Sequence, residues 1–354
     1  MGTKRNLIVT LADRNFIPQA KQLFSSVYWN AGWDGDYMLL AHEIPEEELT
    51  WFRNKGILIK KCTPLRNHKI GKGHDPVILD KFYLFTTDFK KWEHVVFLDS
   101  DIIVKGSLNN VIKIKGFGAV NATINLGRQF SPGNILYDEI KRDYNIRRRS
   151  FNTGIMSFST DIIDDNLFDK LTGLYTKFES IAFFDESILN LYYYKKWVKI
   201  PRVFNNLYIS FFIFHNLKFD KIRSVVFHFM GTYANGKYLD ASKPWDPGNP
   251  FYKEWLTNLE RAEQMDLNII QDAAVWGDLK IKYHSFLVNT LAWVQLAILL
   301  TKHSKFRYKI EGFFRYQIPG FFIYLINTPE RLIGKTGEQL KKYFPGIYKK
   351  LKRK

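Results

Sequence analysis

One cysteine, Cys62, is all that 354 residues contain. That excludes internal disulfides and any zinc site built on thiolates, and it fits a reducing, cytoplasmic compartment. No signal-peptide core is found at the start, where MGTKRN leads into an apolar run of only LIVTLA, better read as a first strand. Asn6 stands where a myristoylation signal needs Ser or Thr. FLVNTLAWVQLAILL, residues 286–300, falls short of the ~20 apolar residues that span a bilayer and is broken by Asn289, Thr290 and Gln295. Acidic residues are scarce late in the chain. Trp276–Lys354 carries 16 Lys/Arg against 4 Asp/Glu, so most of the net +17 sits there.

What is present is a globular composition, 46% hydrophobic and 16% aromatic, able to bury a core. The length suits one large α/β domain with something smaller attached. Strand-like NLIVTL, DYMLLA and GILIKK alternate with helical stretches from Pro18 to Trp29 and Pro45 to Asn54. An amphipathic helix is expected over 75–92, delivering the chain into HVVFL. Downstream, FNTGIMSF and SVVFHF read as strands, and DIIDDNLFDKLTGLYTKF and DESILNLYYYK as helices. TYANGKYLDASKPWDPGNP reads as a loop. KRDYNIRRR, residues 141–149, is a basic run whose simplest form is a solvated loop or helix end, with a substrate-contacting role as the alternative. This order of elements predicts a mostly parallel sheet.

In such sheets ligands bind at the carboxyl ends of strands. HVVFLDSDIIVKG places Asp99 and Asp101 where an apolar strand runs out. A turn explains two aspartates there, and so does a cation. Lys81 in LDKFYLF, His228 in FHFMG and a later KPW also bear on the choice, and His228 offers a third ligand for a divalent cation. Two carboxylates and a neutral imidazole suit Mn²⁺, with Mg²⁺ as the substitute.

VTLADRNFIPQA, LDKFYLF, VVFLDSDIIV, FNTGIMSF, DESILNLYY, VFHFMG and KPW resemble, in that order, the glycogenin-like glycosyltransferases of family 8 over residues 5–250. The resemblance implies a GT-A fold, a Rossmann-like mixed sheet flanked by helices, and retaining transfer of a hexose from a UDP-sugar. Under it, Asp99, Asp101 and His228 ligate the metal, and Thr10, Leu11, Asp13 and Ser100 border the nucleotide. Lys81 and Asn152 meet the donor sugar, Asp185 binds its hydroxyls, and Gly231 and Lys243 cradle the diphosphate.

Three positions depart from the family. Ile17 replaces the self-glucosylated tyrosine of glycogenin, Glu186 stands where the family has glutamine, and Lys237 competes with Lys243 for phosphate. Glu186 is a candidate nucleophile or stabiliser of an oxocarbenium-like state, or plain helix surface. Each of the other residues keeps a structural alternative: a helix cap for Asp185, a turn for Asn152, a solvated lysine for Lys81, a core histidine for His228.

These readings divide the chain into a catalytic domain, 1–268, and a helical basic-aromatic extension, 269–354. The extension mixes Lys and Arg with Phe, Tyr and Trp, the make-up of a segment lying on an anionic membrane surface. Packing on the catalytic domain is the alternative, and the bulky apolar runs disfavour nucleic acid. The expected partners are a UDP-sugar donor and a glycan or glycolipid acceptor, at the inner face of a membrane. Two other classes are weighed. A nucleotide-sugar-forming transferase wants a Gly- and Arg-rich loop after the first strand, where LADRNF is glycine-poor. A non-catalytic membrane adaptor has no use for the intact Asp99, Asp101, His228 and Lys243.

Overall fold

Five consecutive buried residues, His94–Leu98, bury both faces of one strand, and the sheet is built around it. In the computed structural model, residues 6–268 are described except 67–75, 131–136, 179–182, 208, 210–211, 213–216, 223, 231, 235–236 and 240–241. The strands are β1 Asn6–Ala12, β2 Asp36–His42, β3 Leu58–Cys62, β4 His94–Leu98, β5 Ile102–Val104, β6 Phe117–Asn125, β7 Arg149–Ser159, β8 Trp197–Lys199, β9 Val226–His228, β10 Thr232–Ala234 and β11 Lys237–Leu239. The helices are α1 Ile17–Ala31, α2 Glu46–Asn54, α3 Tyr137–Asp143, α4 Leu167–Phe178, α5 Phe184–Tyr192 and α6 Tyr252–Arg261.

Seven strands form one sheet in the order β3-β2-β1-β4-β7-β6-β8. β3, β2, β1 and β4 run parallel, and β8 is parallel to β6. Only β7 is antiparallel to both of its neighbours, so the sheet is mixed but mostly parallel. Alternation along β4 sends Val95 and Phe97 to one hydrophobic cluster with Phe82, Phe85 and Ile188, and Val96 and Leu98 to the other with Phe24 and Val27. β5 and β9 pair separately as a small antiparallel ribbon past the end of β4.

Three elements differ from the sequence expectation. Residues 76–91 form two 3₁₀ segments, Pro76–Phe85 and Thr87–Lys91, in place of one amphipathic α-helix. PVILDKFYLF is buried on more than one side, and its Asp80 and Lys81 each reach a partner inside the protein. The more extended 3₁₀ rise accommodates both demands. The helix expected from Asp161 begins at Leu167, after a 3₁₀ turn at Thr160–Ile162. The segment expected as a loop starts with the hairpin β10–β11.

The strands β1 to β4, β7 and β9 and the helices α1, α2 and α5 follow the expectation. The basic run 141–149 is a helix end and turn leading into β7. Among the described residues no helix is long and apolar enough to cross a membrane. The expected extension, 269–354, and Gly231 lie outside the described residues.

Candidate active site

Chain direction brings the site together at the carboxyl end of β4. The Asp99 amide donates to the Gly154 carbonyl (2.9 Å), continuing the β4–β7 ladder one residue beyond the strand. The chain then turns into β5, where Ile102 pairs with His228 and the Asp101 carbonyl accepts from the Phe229 amide (3.1 Å). That pairing delivers the imidazole across 127 residues of sequence to the two aspartates. Its Nε2 lies 3.3 Å from Asp101 Oδ1 and 3.8 Å from Asp99 Oδ2, and one ligand atom from each residue lies within 4.8 Å of the others.

Hydrogen bonds fix which nitrogen faces the carboxylates. The Gly154 amide donates to Asn152 Oδ1 (2.9 Å), which orients the Asn152 amide. Asn205 Nδ2 donates to the same oxygen (2.8 Å), so Asn205 Oδ1 is the acceptor that meets His228 Nδ1 at 2.9 Å. The hydrogen of the neutral ring therefore sits on Nδ1, and the Nε2 lone pair points at Asp99 and Asp101. Three acceptors converging in this way need a positive centre, either a proton or a divalent cation. Burial favours the neutral imidazole, and Asp101, then Asp99, overcome it and raise the ring's affinity for a proton. Two carboxylates and one lone pair are the donor set of a mixed O/N divalent site, so these residues fit a metal.

Asn205 was not among the sequence candidates. In IPRVFNN it looks like any polar residue after a strand, yet it is fully buried and holds the histidine's orientation. Asn205→Leu is expected to weaken Mn²⁺ binding about 10- to 100-fold, the usual cost of losing such a supporting group. Asn205→Asp, which keeps an acceptor for Nδ1 but loses the donor to Asn152 Oδ1, is expected to fall between the leucine variant and wild type. Paramagnetic resonance titration of free Mn²⁺ reads both, and wild-type affinity in the leucine variant would contradict the assignment.

Gly154 was missed as well. A Cβ there would fall 2.2 Å from His228 Cε1 and 2.8 Å from Asn152 Oδ1, so only glycine lets the imidazole approach β7. A glycine inside the strand FNTGIMSF was the available signal.

Lys81 is buried between two carboxylates, 2.9 Å from Asp99 Oδ1 and 3.2 Å from Asp185 Oδ2. Burial alone would lower its pKa, but Asp185 and Asp99 outweigh that and hold it above the lysine range. The solvated alternative for Lys81 is thus excluded. Asp99 gives one oxygen to Lys81 and keeps Oδ2 toward His228.

Asp185 does not cap its helix. Its Oδ2 accepts from Thr153 Oγ1 (2.8 Å) as well as from Lys81. Phe184, just before it, lies at φ 34°, left-handed backbone at a bulky residue that costs of order 1–3 kcal/mol and clusters at functional sites.

Glu186 is buried, not helix surface. Gln129 Nε2 donates to its Oε1 (2.6 Å), and Asn152 Nδ2 and the Thr153 amide donate to its Oε2 (2.7 and 3.3 Å). Burial and Asp185 push its pKa up to about 7 against those donors. One relay therefore runs His228–Asn205–Asn152–Glu186–Gln129.

The nucleotide-side candidates are spread more widely. Thr10 is fully buried and donates to the Leu98 carbonyl (2.7 Å), tying β1 to β4 inside the sheet. Leu11 is buried beside it, and Asp13 caps the turn Arg14–Phe16 through the Asn15 and Phe16 amides. Ser100 lies nearly buried between the two aspartates. Lys243 is exposed on the turn before α6, and only the backbone of Lys237 is described, on β11.

A sequence model of glycosyl transferase family 8 matches residues 7–246. Over 229 residues the chain is 27% identical to the glycosyltransferase GlyF of Streptococcus pneumoniae, covering 60% of this chain and 51% of GlyF. The chain spans about half the length, or less, of the curated relatives it matches. Among solved structures, the bifunctional glycosyltransferase WbbM superposes with a TM-score of 0.53 at 16% identity, covering 75% of this chain and 52% of WbbM. The galactosyltransferase LgtC, solved with donor and acceptor sugar analogs, superposes with a TM-score of 0.52 at 16% identity, covering 73% and 96%. These two likenesses bear on the fold alone, and the fold is GT-A, as the sequence resemblance implied.

Proposed function

The chain belongs to glycosyl transferase family 8, and from that premise we propose that it transfers a hexose, glucose or galactose, from a UDP-sugar to a hydroxyl acceptor with retention. The convergence of Asp99, Asp101 and His228 at the end of β4, with Lys81 and Asp185 beside them, carries this reading. Asp99, Asp101 and His228 would hold Mn²⁺, or Mg²⁺ in its place, between the protein and the donor's diphosphate. Bound there, the cation would supply Lewis-acid stabilisation of charge developing on the UDP leaving group.

The protein's own groups would do the rest. Lys81, Asn152 and Asp185 would orient the donor hexose, and Lys243 or Lys237, with Gly231, would meet phosphate oxygens. Asp13, Leu11, Thr10 and Ser100 would bound the nucleoside side. Asp185 is held by Lys81 and Thr153, and Glu186 by three donors. Carboxylates so engaged favour front-face substitution, with the departing phosphate taking the acceptor's proton, over a covalent intermediate on either residue.

The composition of 269–354 supports docking on an anionic membrane at its cytoplasmic face, and hence a membrane-linked acceptor such as a lipid-linked glycan or lipopolysaccharide core. Residues 1–268 would then be the catalytic domain.

A donor screen tests the proposal. UDP-glucose, UDP-galactose and their N-acetyl forms are incubated with the full chain and Mn²⁺, and released UDP is quantified by mass. One hexose donor is expected to be turned over. No UDP from any of the four, with pyrophosphate formed from UTP and a sugar 1-phosphate, would instead identify a nucleotide-sugar-forming enzyme.

A further inference from the structure

PVILDKFYLF carries an acid that the site described above does not use. Asp80, next to Lys81, is fully buried, and its Oδ2 accepts from His42 Nδ1 (2.7 Å). A buried ion pair is costly to desolvate and adds little to stability, so one placed beside a site residue calls for another reason.

The winding of the segment supplies it. A 3₁₀ helix has three residues per turn, so side chains three apart lie above one another. Pro76–Phe85 is one such run and presents its side chains in three rows. Leu79, Phe82 and Phe85 form the first, fully buried in the cluster that also holds Phe97 and Ile188. Asp80 and Tyr83 form the second, which meets the carboxyl ends of β2 and β3. His42 ends β2 and pairs with Cys62, which ends β3, and the Tyr83 hydroxyl donates to the Thr63 carbonyl just beyond (2.8 Å). Lys81, in the third row with Leu84, reaches Asp99 and Asp185.

Apolar packing alone does not set which row faces which neighbour, because Leu84 is buried as completely as the first row. A third of a turn about the segment's axis would still bury apolar side chains, but it would carry Lys81 away from Asp99 and Asp185. Asp80 removes that freedom, since an acid rotated away from His42 would be buried without a partner. The strand-side anchor is fixed as well. Glu43, directly after His42, lies at φ 49°, left-handed backbone that persists where the surroundings over-determine it. Burial raises the Asp80 pKa against the bond from His42, and that same bond raises the His42 pKa.

We propose that His42 and Asp80 are positioning residues, a rotational lock that keeps Lys81 in the gap between Asp99 and Asp185. That Lys81 serves a donor sugar there rests on the transferase reading above; the lock itself does not.

Removing one partner would leave a buried charge unpaired and endanger the fold. Both are therefore replaced together, as His42→Leu/Asp80→Ala, which roughly keeps the volume and deletes both charges. The first measurement needs no substrate. The native full chain is treated briefly with acetic anhydride, and acetylation of single lysines is read by mass spectrometry. Exposed Lys170 is the reference for reagent, and Lys105, 1% exposed and distant in the fold, reports global opening. Lys81 is expected to be protected in wild type and about tenfold or more reactive in the double variant, with Lys105 unchanged. The second measurement is steady-state kinetics with the donor that the screen identifies. The double variant is expected to lose about 10²-fold in kcat, the scale of a small misplacement at a reacting centre, with UDP affinity little changed. His42→Asn, whose Nδ2 still donates to Asp80, is expected to restore most of kcat and the protection of Lys81. Unchanged Lys81 protection in the double variant would overturn the lock. So would Lys81 and Lys105 becoming reactive together, which would make the pair a plain stability element, or a His42→Asn defect as deep as that of the double variant. If wild type turns over no donor, the transferase reading fails, and the acetylation pattern still decides the lock.

Discussion

Replacing Asp101 with asparagine is expected to lower sugar transfer by about 10²–10³-fold or more, the scale of losing one charge-stabilising group at a reacting centre. The substitution keeps the volume and deletes the charge. The Asp101 carbonyl's bond with the Phe229 amide is unaffected, so β5 and β9 stay paired and the fold persists. Of the three acceptors that meet between β4 and β9, one becomes a neutral amide, and a divalent ion loses an anionic ligand. Steady-state kinetics over a Mn²⁺ series separates the causes. A deficit that extra Mn²⁺ partly repairs fits a ligand, whereas full activity in metal-free buffer contradicts it.

Lys81→Met is expected to have the largest effect on stability. The lysine is the cation between Asp99 and Asp185, and its side chain is only 6% exposed. Methionine keeps the packing and leaves two carboxylates facing each other. Breaking a buried pair by removing one partner costs about 3–5 kcal/mol.

The pH dependence has a definite sign. Burial already raises the Asp185 pKa, opposed by Lys81, and without Lys81 it rises further. A carboxyl whose folded pKa exceeds its unfolded value binds its proton more tightly in the folded state, so its charge destabilises the fold as pH rises. The variant's deficit is therefore small under acidic conditions, where Asp185 is neutral, and grows toward neutral pH. Urea unfolding near pH 4.5 and pH 7.5 measures this. An equal deficit at both would locate the damage in packing and not in charge.

The ionisable part of the site was legible in the sequence because charge is costly to bury and so stands out. Asp-x-Asp at a strand end, His228 in VFHFMG and Lys81 in LDK each break an apolar run. The structure brings Asp99, Asp101 and His228 within ligand reach of one another and pairs Lys81 with Asp99. The neutral half was not legible. Asn205, Gln129, Thr153 and Gly154 work through hydrogen-bond direction and through the absence of a side chain, and neither leaves a periodic trace.

Topology was predictable where apolar runs alternate with helices, as in β1 to β4. It failed where burial overrides period. PVILDKFYLF carries the density of apolar residues of a helix face, but it is packed on more than one side and winds as 3₁₀. The hairpin β10–β11 was hidden among turn residues because strands of three residues are too short to alternate visibly. Glu186 shows a further limit. Its charge was visible, but its burial against Gln129 and Asn152 depends on chain segments 57 and 34 residues away.

The account stands on one divalent ion held by Asp99, Asp101 and His228 next to a nucleotide diphosphate. Paramagnetic resonance titration of Mn²⁺ into the full chain, with and without UDP, tests it most directly. The predicted result is one bound ion per chain, tighter when UDP is present and lost in Asp101→Asn. Binding that ignores both UDP and Asp101, or no bound ion at all, would contradict it.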